Sequence, residues 1–312
     1  MSSTGRRSAA GRGWRPLAGL FLLLVGASAP PASAQPVLSV HQDLDFDRPE
    51  AWALKYFSSV TLLTGLGAPE RREAGSLELA LEGGWIPSLS EDERRVGFYG
   101  TKVEDLNKTS VFGRPRLTVG LPAALTLTLA WAPPIELGGA EPNLWAVALG
   151  RPLVEREGWR LGARLYAQGG TVKGDFTCSA DDAAGGDDPI ANPFGCERPS
   201  QDEATLQAYG VELAAAWQAS ERLEPYAALT GTYLDPEFQV DAFYSGIHDR
   251  TRQTTDGTTW ALTAGLAWAR SERLRLVAEA FYAPLTLVRT AGAEEESQDL
   301  FNLRVLLGYR LR

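Results

Sequence analysis

The 312 residues include only two cysteines, two histidines and one methionine. So little histidine leaves few candidates for a general base, and two cysteines fall short of the closed four-ligand set of a structural zinc site. Beyond residue 34 no apolar run approaches 18 residues, which excludes a membrane-spanning helix but not a transmembrane β-barrel, whose strands are only half apolar. Basic residues are outnumbered, 30 against 39 acidic, for a net charge of −9, so neither nucleic acid nor an anionic lipid surface is expected as the main partner. No phosphate-binding loop, dinucleotide fingerprint or zinc spacing occurs, so no cofactor and no metal are expected. There is no internal repeat.

What is present begins with an export signal. Arg6, Arg7, Arg12 and Arg15 form a basic start, Leu17 to Ala29 an apolar stretch too short to span a bilayer, and Ala32-Ser33-Ala34 a small-x-small cleavage site. Residues 1–34 therefore read as a signal peptide, 35–50 as an N-terminal segment and candidate first strand, and 51–312 as one β-barrel domain.

From residue 50 onward the dominant hydrophobic period is two. In "ALTLTLAWA" Leu125, Leu127, Leu129 and Trp131 share a face against Thr126 and Thr128; "LFNLRVLLGYRL" sets Phe301, Leu303, Val305, Leu307, Tyr309 and Leu311 against Asn302, Arg304, Gly308 and Arg310. "WRLGARLYAQ" and segments near 52–65, 76–86, 114–121, 143–151, 205–217, 224–236, 258–269 and 273–287 behave alike. A helix would smear such alternation around its cylinder, so these are about eleven strands. Closure of a single-chain bacterial barrel favours an even number, and "PVLSVHQDLDF" (36–46) is the candidate twelfth, with ten strands as the alternative count.

Alternation does not say which face points inward, but the aromatics do. Trp260 and Trp268 lie eight residues apart on one apolar face, roughly 26 Å along a strand at ~3.3 Å per residue. With a tilt of about 40° this becomes a height near the ~25 Å apolar band flanked by aromatic girdles. Trp85, Trp131, Trp159, Trp217, Tyr282 and Tyr309 also fall near strand ends. The connections alternate: 67–75, 122–123, 152–158, 218–223 and 269–272 are short, while 87–111, 133–142, 171–204, 237–257 and 288–299 are mostly longer. On these features the chain resembles the Gram-negative outer-membrane β-barrel proteins. The resemblance implies an antiparallel up-and-down transmembrane barrel in the outer membrane, surrounded by lipid, with short periplasmic turns and long extracellular loops. It also implies a C-terminal strand read by the barrel-insertion machinery; that strand usually finishes on an aromatic residue, whereas this chain ends "GYRLR".

In such a barrel the polar face lines the lumen. It carries Glu78, Glu82, Arg116, Arg160, Arg164, Glu212, Arg275, Glu279 and Arg304, both signs together, which can form either a polar pathway or an ion-pair ladder that fills the barrel. Ten to twelve strands lie between the ~8 that side chains can plug and the 16–18 of open porins. The expected function is thus a narrow pore, or a binding or uptake protein for a small solute. The alternatives are a structural or adhesive outer-membrane protein, a hydrolase with its site at the rim, and a soluble exported β-barrel binding protein. No catalytic residue is assigned: Ser245, His248 and Asp249 crowd into five positions, whereas a triad draws converging side chains from different segments.

Two loops stand out. Residues 87–111 mix charge with Phe98 and Tyr99, and read as a mobile surface loop or one folded into the mouth. Cys178 and Cys196 bracket a stretch holding Asp181, Asp182, Asp187 and Asp188. Their spacing is wider than a C-x-x-C redox pair, and the aspartates lack the alternation of a calcium loop. In an exported protein the pair reads as a disulfide stapling an outer loop.

Overall fold

The structure is a computed structural model that describes residues 35–290 and 292–311; the expected signal peptide lies outside the described residues. Ten strands form the barrel: β1 Leu77–Trp85, β2 Val111–Gly120, β3 Thr126–Ala132, β4 Ala140–Arg156, β5 Trp159–Gly174, β6 Ala208–Trp217, β7 Leu223–Leu234, β8 Gly257–Ala269, β9 Leu274–Ala283 and β10 Leu300–Arg310. Each pairs antiparallel with its neighbours in sequence, and β10 closes on β1 from Arg304↔Gly84 to Arg310↔Glu78. Closure removes both sheet edges. Short turns gather at one end (121–125, 157–158, 218–222, 270–273) and the long connections at the other (86–110, 133–139, 175–207, 235–256, 284–299). Following the usual order of bacterial barrels, the turn end is periplasmic and the loop end extracellular.

The barrel is inside out relative to a soluble protein. Leu79, Leu81, Leu213, Leu229, Leu262, Leu303, Val305 and Leu307 are exposed on its outer wall, while Glu82, Glu212, Glu279 and Arg304 are buried within. Such an exterior is stable only against hydrocarbon, and closure pairs the backbone groups of the wall from strand to strand. The outer aromatics form two levels. Trp159, Trp217, Trp268 and Tyr309 sit at the turn end; Trp85, Trp131 and Trp260 sit at the loop end, joined there by Trp145, Tyr209 and Tyr233 and by the half-buried Tyr282. Trp159 and Trp217 lie 5.7 Å apart, centroid to centroid.

Of the two expected counts, about twelve strands and the alternative ten, the barrel has ten. Residues 36–46 supply no barrel strand: Val37–Leu38 pairs parallel with 248–249, and His41–Asp43 with 252–254, both in the loop-end layer. The expected strand at 52–65 is α1, Pro49–Val60, continued by an extended segment. Pro49 at its first position and Glu50 in its first turn are helix-start signals. The alternation of Trp52, Leu54 and Tyr56 concealed them, because a helix buried all round has no polar stripe to reveal its 3.6-residue period.

Helix α1 lies inside the barrel near the loop end. Trp52, Tyr56, Val60, Leu62 and Leu63 pack on inward-facing Ala130, Ala146, Ala148, Ala208, Ala261 and Phe281, the small residues leaving room for the helix. The Trp52 indole donates to the Gln298 carbonyl at 3.2 Å, Lys55 to Thr286 at 2.7 Å and the Tyr56 hydroxyl to Pro87 at 2.9 Å, fixing α1 to the loops. Residues 61–69 then run down the lumen, and 70–76 leave at the turn end to begin β1. The barrel wall proper therefore starts at Leu77 rather than at residue 51.

Candidate functional site

The structure places the charged residues named from the sequence on the inner side of the wall, and several of them grip the chain that fills it. Glu82 bridges Arg114 and Arg116, each Nε 2.5 Å from its Oε2, and Arg304 reaches Glu279 at 2.5 Å. Arg164 pairs with Glu212, and Arg160 with Glu224 at 2.5 Å. Towards the turn end Glu78 meets Arg72 at 2.8 Å, and Arg275 lies 3.9 Å from Glu70.

The same groups hold the backbone of 61–67. Arg114 donates to the carbonyls of Thr61 at 2.7 Å and Leu62 at 3.0 Å; Arg304 donates to Leu62 O and Thr64 Oγ1, each at 2.9 Å. Arg164 donates to Gly65 O at 3.1 Å and Gly67 O at 2.9 Å. In return the Gly65 amide donates to Glu212 at 2.6 Å and the Leu66 amide to Glu279. Irregular backbone at membrane depth persists only where protein satisfies it in this way. Gly65 (φ +58°) and Gly67 (φ +109°) hold left-handed backbone that favours glycine, and a Cβ would in addition press on a Glu279 oxygen at 2.3 Å and on Arg275 Nη2 at 2.0 Å. A space of about 50 Å³ remains beside this segment, room for a few waters. The lumen expected as a narrow pathway is occupied by the chain itself.

Arg114, Gln168, Tyr166 and Tyr226 share the inner face without having been singled out from the sequence. Arg114 carried a usable signal, two residues before Arg116 on a strand.

At the loop end, short strands from the N-terminal segment and the loops build a layer over the mouth: 196–198, 242–244 and 247–249 form one ladder, and 203–205, 237–239 and 252–254 another. The Cys178–Cys196 disulfide, Cα atoms 5.7 Å apart, is buried there with Val240 and Ala242. Of the bracketed aspartates, Asp182 completes a capping box with Ser179 on the turn Ala180–Ala184, and Asp188 accepts from the Ile190 amide at 2.9 Å. His248 stacks on Phe243 at 3.9 Å and lies 2.7 Å from Asp241, while Ser245 donates to the Phe194 carbonyl and Asp249 accepts from the Tyr244 hydroxyl. These residues do not converge as a triad.

Two cavities lie beneath this layer. The first, about 370 Å³, is walled by Leu38, Val40, Leu54, Val96, Phe98 and Val240. Three carboxylates border it and each has partners: Glu50 with Arg48 and the Tyr99 amide, Asp249 with Tyr244 and the Thr251 amide, Glu104 with Lys102. Burial pushes the Glu104 carboxyl up to about 7 against the pull of Lys102, and neighbouring Asp202 and Asp182 add to the rise. The second cavity, about 300 Å³, lies between α1, the upper ends of β2 and β4, and residues 132–137. Phe57, Leu106 and Phe176 border both.

A closed antiparallel barrel with an apolar exterior, two aromatic levels and a charged interior defines an outer-membrane β-barrel protein, and the chain is one. No family model and no curated protein matches it. Among solved structures it is similar to Ail, the attachment invasion locus protein of Yersinia pestis (10% identity, TM-score 0.32, covering 77% of this chain and 100% of that one). It is also similar to the outer membrane protease OmpT from Escherichia coli (8%, 0.38, 76% and 94%) and to the Pseudomonas putida toluene transporter TodX (14%, 0.33, 86% and 77%).

Proposed function

We propose that this barrel is a plugged binding and uptake protein that captures a small, largely apolar molecule at its loop end. The observation that carries the reading is the 370 Å³ cavity with apolar walls, set directly above a lumen filled by α1 and the clamped segment 61–67. Its volume falls in the lower part of the ~300–1,000 Å³ range of small-molecule pockets. Its apolar walls favour a ligand with little charge, and the partnered carboxylates at its edge supply acceptors that would orient a hydrogen-bond donor on it.

The test uses the purified barrel in detergent with N-phenylnaphthylamine, an uncharged apolar fluorophore. Saturable fluorescence enhancement is expected for the unaltered protein. Leu38→Trp, which fills the cavity from its exposed lid strand, should weaken binding at least tenfold while the barrel keeps its heat-dependent gel migration. Equal binding by both proteins, or discrete conductance steps from the unaltered protein in planar bilayers, would overturn the reading.

A further inference from the structure

Beside the second cavity the pairing of two neighbouring wall strands ends early. β2 and β3 pair from Gly120↔Thr126 up to Arg116↔Ala130 and then stop. Both strands continue: β2 stays paired with β1 as far as Val111↔Trp85, and β3 with β4 as far as Ala132↔Leu144. Above Arg116 the two strands therefore part, leaving a window in the sheet.

The window is framed so that few polar groups face lipid. Pro115 takes the first unpaired position on β2, and Pro133 and Pro134 follow the end of β3, so three backbone positions at the break have no N–H to leave unsatisfied. The upper edge is closed where the chain turns back: Gly138, at φ +61°, lies against the Lys108 carbonyl so closely that a Cβ would sit 1.9 Å from its oxygen. The rim is apolar and open to the outside, with Val111, Ile135 and Leu137 exposed by 53%, 59% and 43%. It stands at the level of Trp85, Trp131 and Trp145, the loop-end aromatics that meet the lipid headgroups.

Behind the window lies the 300 Å³ cavity, and behind that, across Phe57, Leu106 and Phe176, the 370 Å³ cavity. These three side chains border both spaces, and the Phe57 and Phe176 rings are 5.4 Å apart. The lumen below offers no comparable route, because passage there requires displacing buried ion pairs and the backbone they hold.

We propose that the ligand of the loop-end cavity is an uncharged hydrocarbon-rich molecule that exchanges with the outer leaflet through this window, instead of crossing the barrel along its axis. The inference rests on the loop-end cavity being a ligand site, and the test separates the two. Gly113 lies on the exposed face of β2 beside the opening, and a side chain there would meet only the Glu82 carbonyl oxygen, at an ordinary 3.5 Å. Gly113→Phe should therefore fill the window of an intact barrel. Leu137→Trp does so from the other rim, and Leu213→Phe, on the far outer wall, is the control. Protein loaded with N-phenylnaphthylamine is mixed with phosphatidylcholine vesicles, and transfer of the probe is followed in time.

The affinity in detergent should be the same for all four proteins. Transfer should slow at least tenfold for Gly113→Phe and Leu137→Trp and stay unchanged for Leu213→Phe. Binding with a transfer rate indifferent to both window variants overturns the route and leaves the site standing. No binding by the unaltered protein overturns the site and the route together.

Discussion

Glu82 shows how much depends on single lumenal side chains. It is wholly buried between two guanidinium groups, of which that of Arg114 also holds the descending backbone. Removing its charge leaves Arg114 and Arg116 facing one another without a counter-ion, the situation in which a broken buried pair costs about 3–5 kcal/mol. Glu82→Gln should lower the urea midpoint of the barrel by a corresponding amount, read from its heat-dependent gel migration, whereas Glu237→Gln, whose partner Arg252 is half exposed, should shift it little. Glu104, in the loop layer, gives the pH prediction. Its carboxyl is raised by burial to about 7, whereas in the unfolded chain it ionises near the ordinary ~4.3. Between those values the native state holds a proton that the unfolded state has released, so stability is greatest below the lower value and falls as pH rises through the upper one. Asp202, also raised by burial, acts in the same direction. Limited proteolysis of the loop layer should therefore quicken from pH 5 to pH 8, and Glu104→Gln should flatten that dependence.

At the scale of elements, the stapled loop and the barrel are separable. The disulfide closes a span of 18 residues, a restraint worth about 3 kcal/mol in the chain-entropy account. It is surrounded by loop strands and not by barrel wall. Replacing both cysteines by serine should speed proteolytic cleavage within 175–207 severalfold and leave the barrel's gel migration unchanged; a destabilised barrel would mean that the loop layer and wall fold as one unit. The barrel strands were legible because lipid on one side and charge on the other impose a two-residue period from end to end, as in Phe301 to Tyr309. Helix α1 was not, because its surroundings are apolar on every side and the alternation of Trp52, Leu54 and Tyr56 with smaller residues mimics a strand. The lumenal charges were legible as a set, from Glu78 to Arg304, but not their purpose. A row of paired charges looks the same whether it borders water or grips a peptide, and what they grip is the backbone of residues 61–67, which has no side-chain signature. The window was illegible for a related reason: Pro115 is visible in the sequence, but the absence of a partner across from it is a property of register.

For the molecule as a whole, wall and filling make separable contributions. Deleting residues 35–69 removes α1 and the descending segment while leaving each barrel strand and the ion pairs among them. Such a barrel should produce discrete conductance steps in planar bilayers where the full chain is silent; continued silence would show that the wall's own side chains close the lumen. The descending segment also alters a simple parity. Ten strands alone would return the chain to the face on which it began, but one further passage down the axis makes eleven crossings, so Gln35 and Leu311 lie on opposite faces of the membrane. A short epitope grafted beside Gln35 would be displayed to antibodies on intact cells, and one grafted beside Leu311 would be hidden from them. The barrel seam between β1 and β10 must accordingly close around a strand of its own chain, as a ring is closed over a cord already drawn through it.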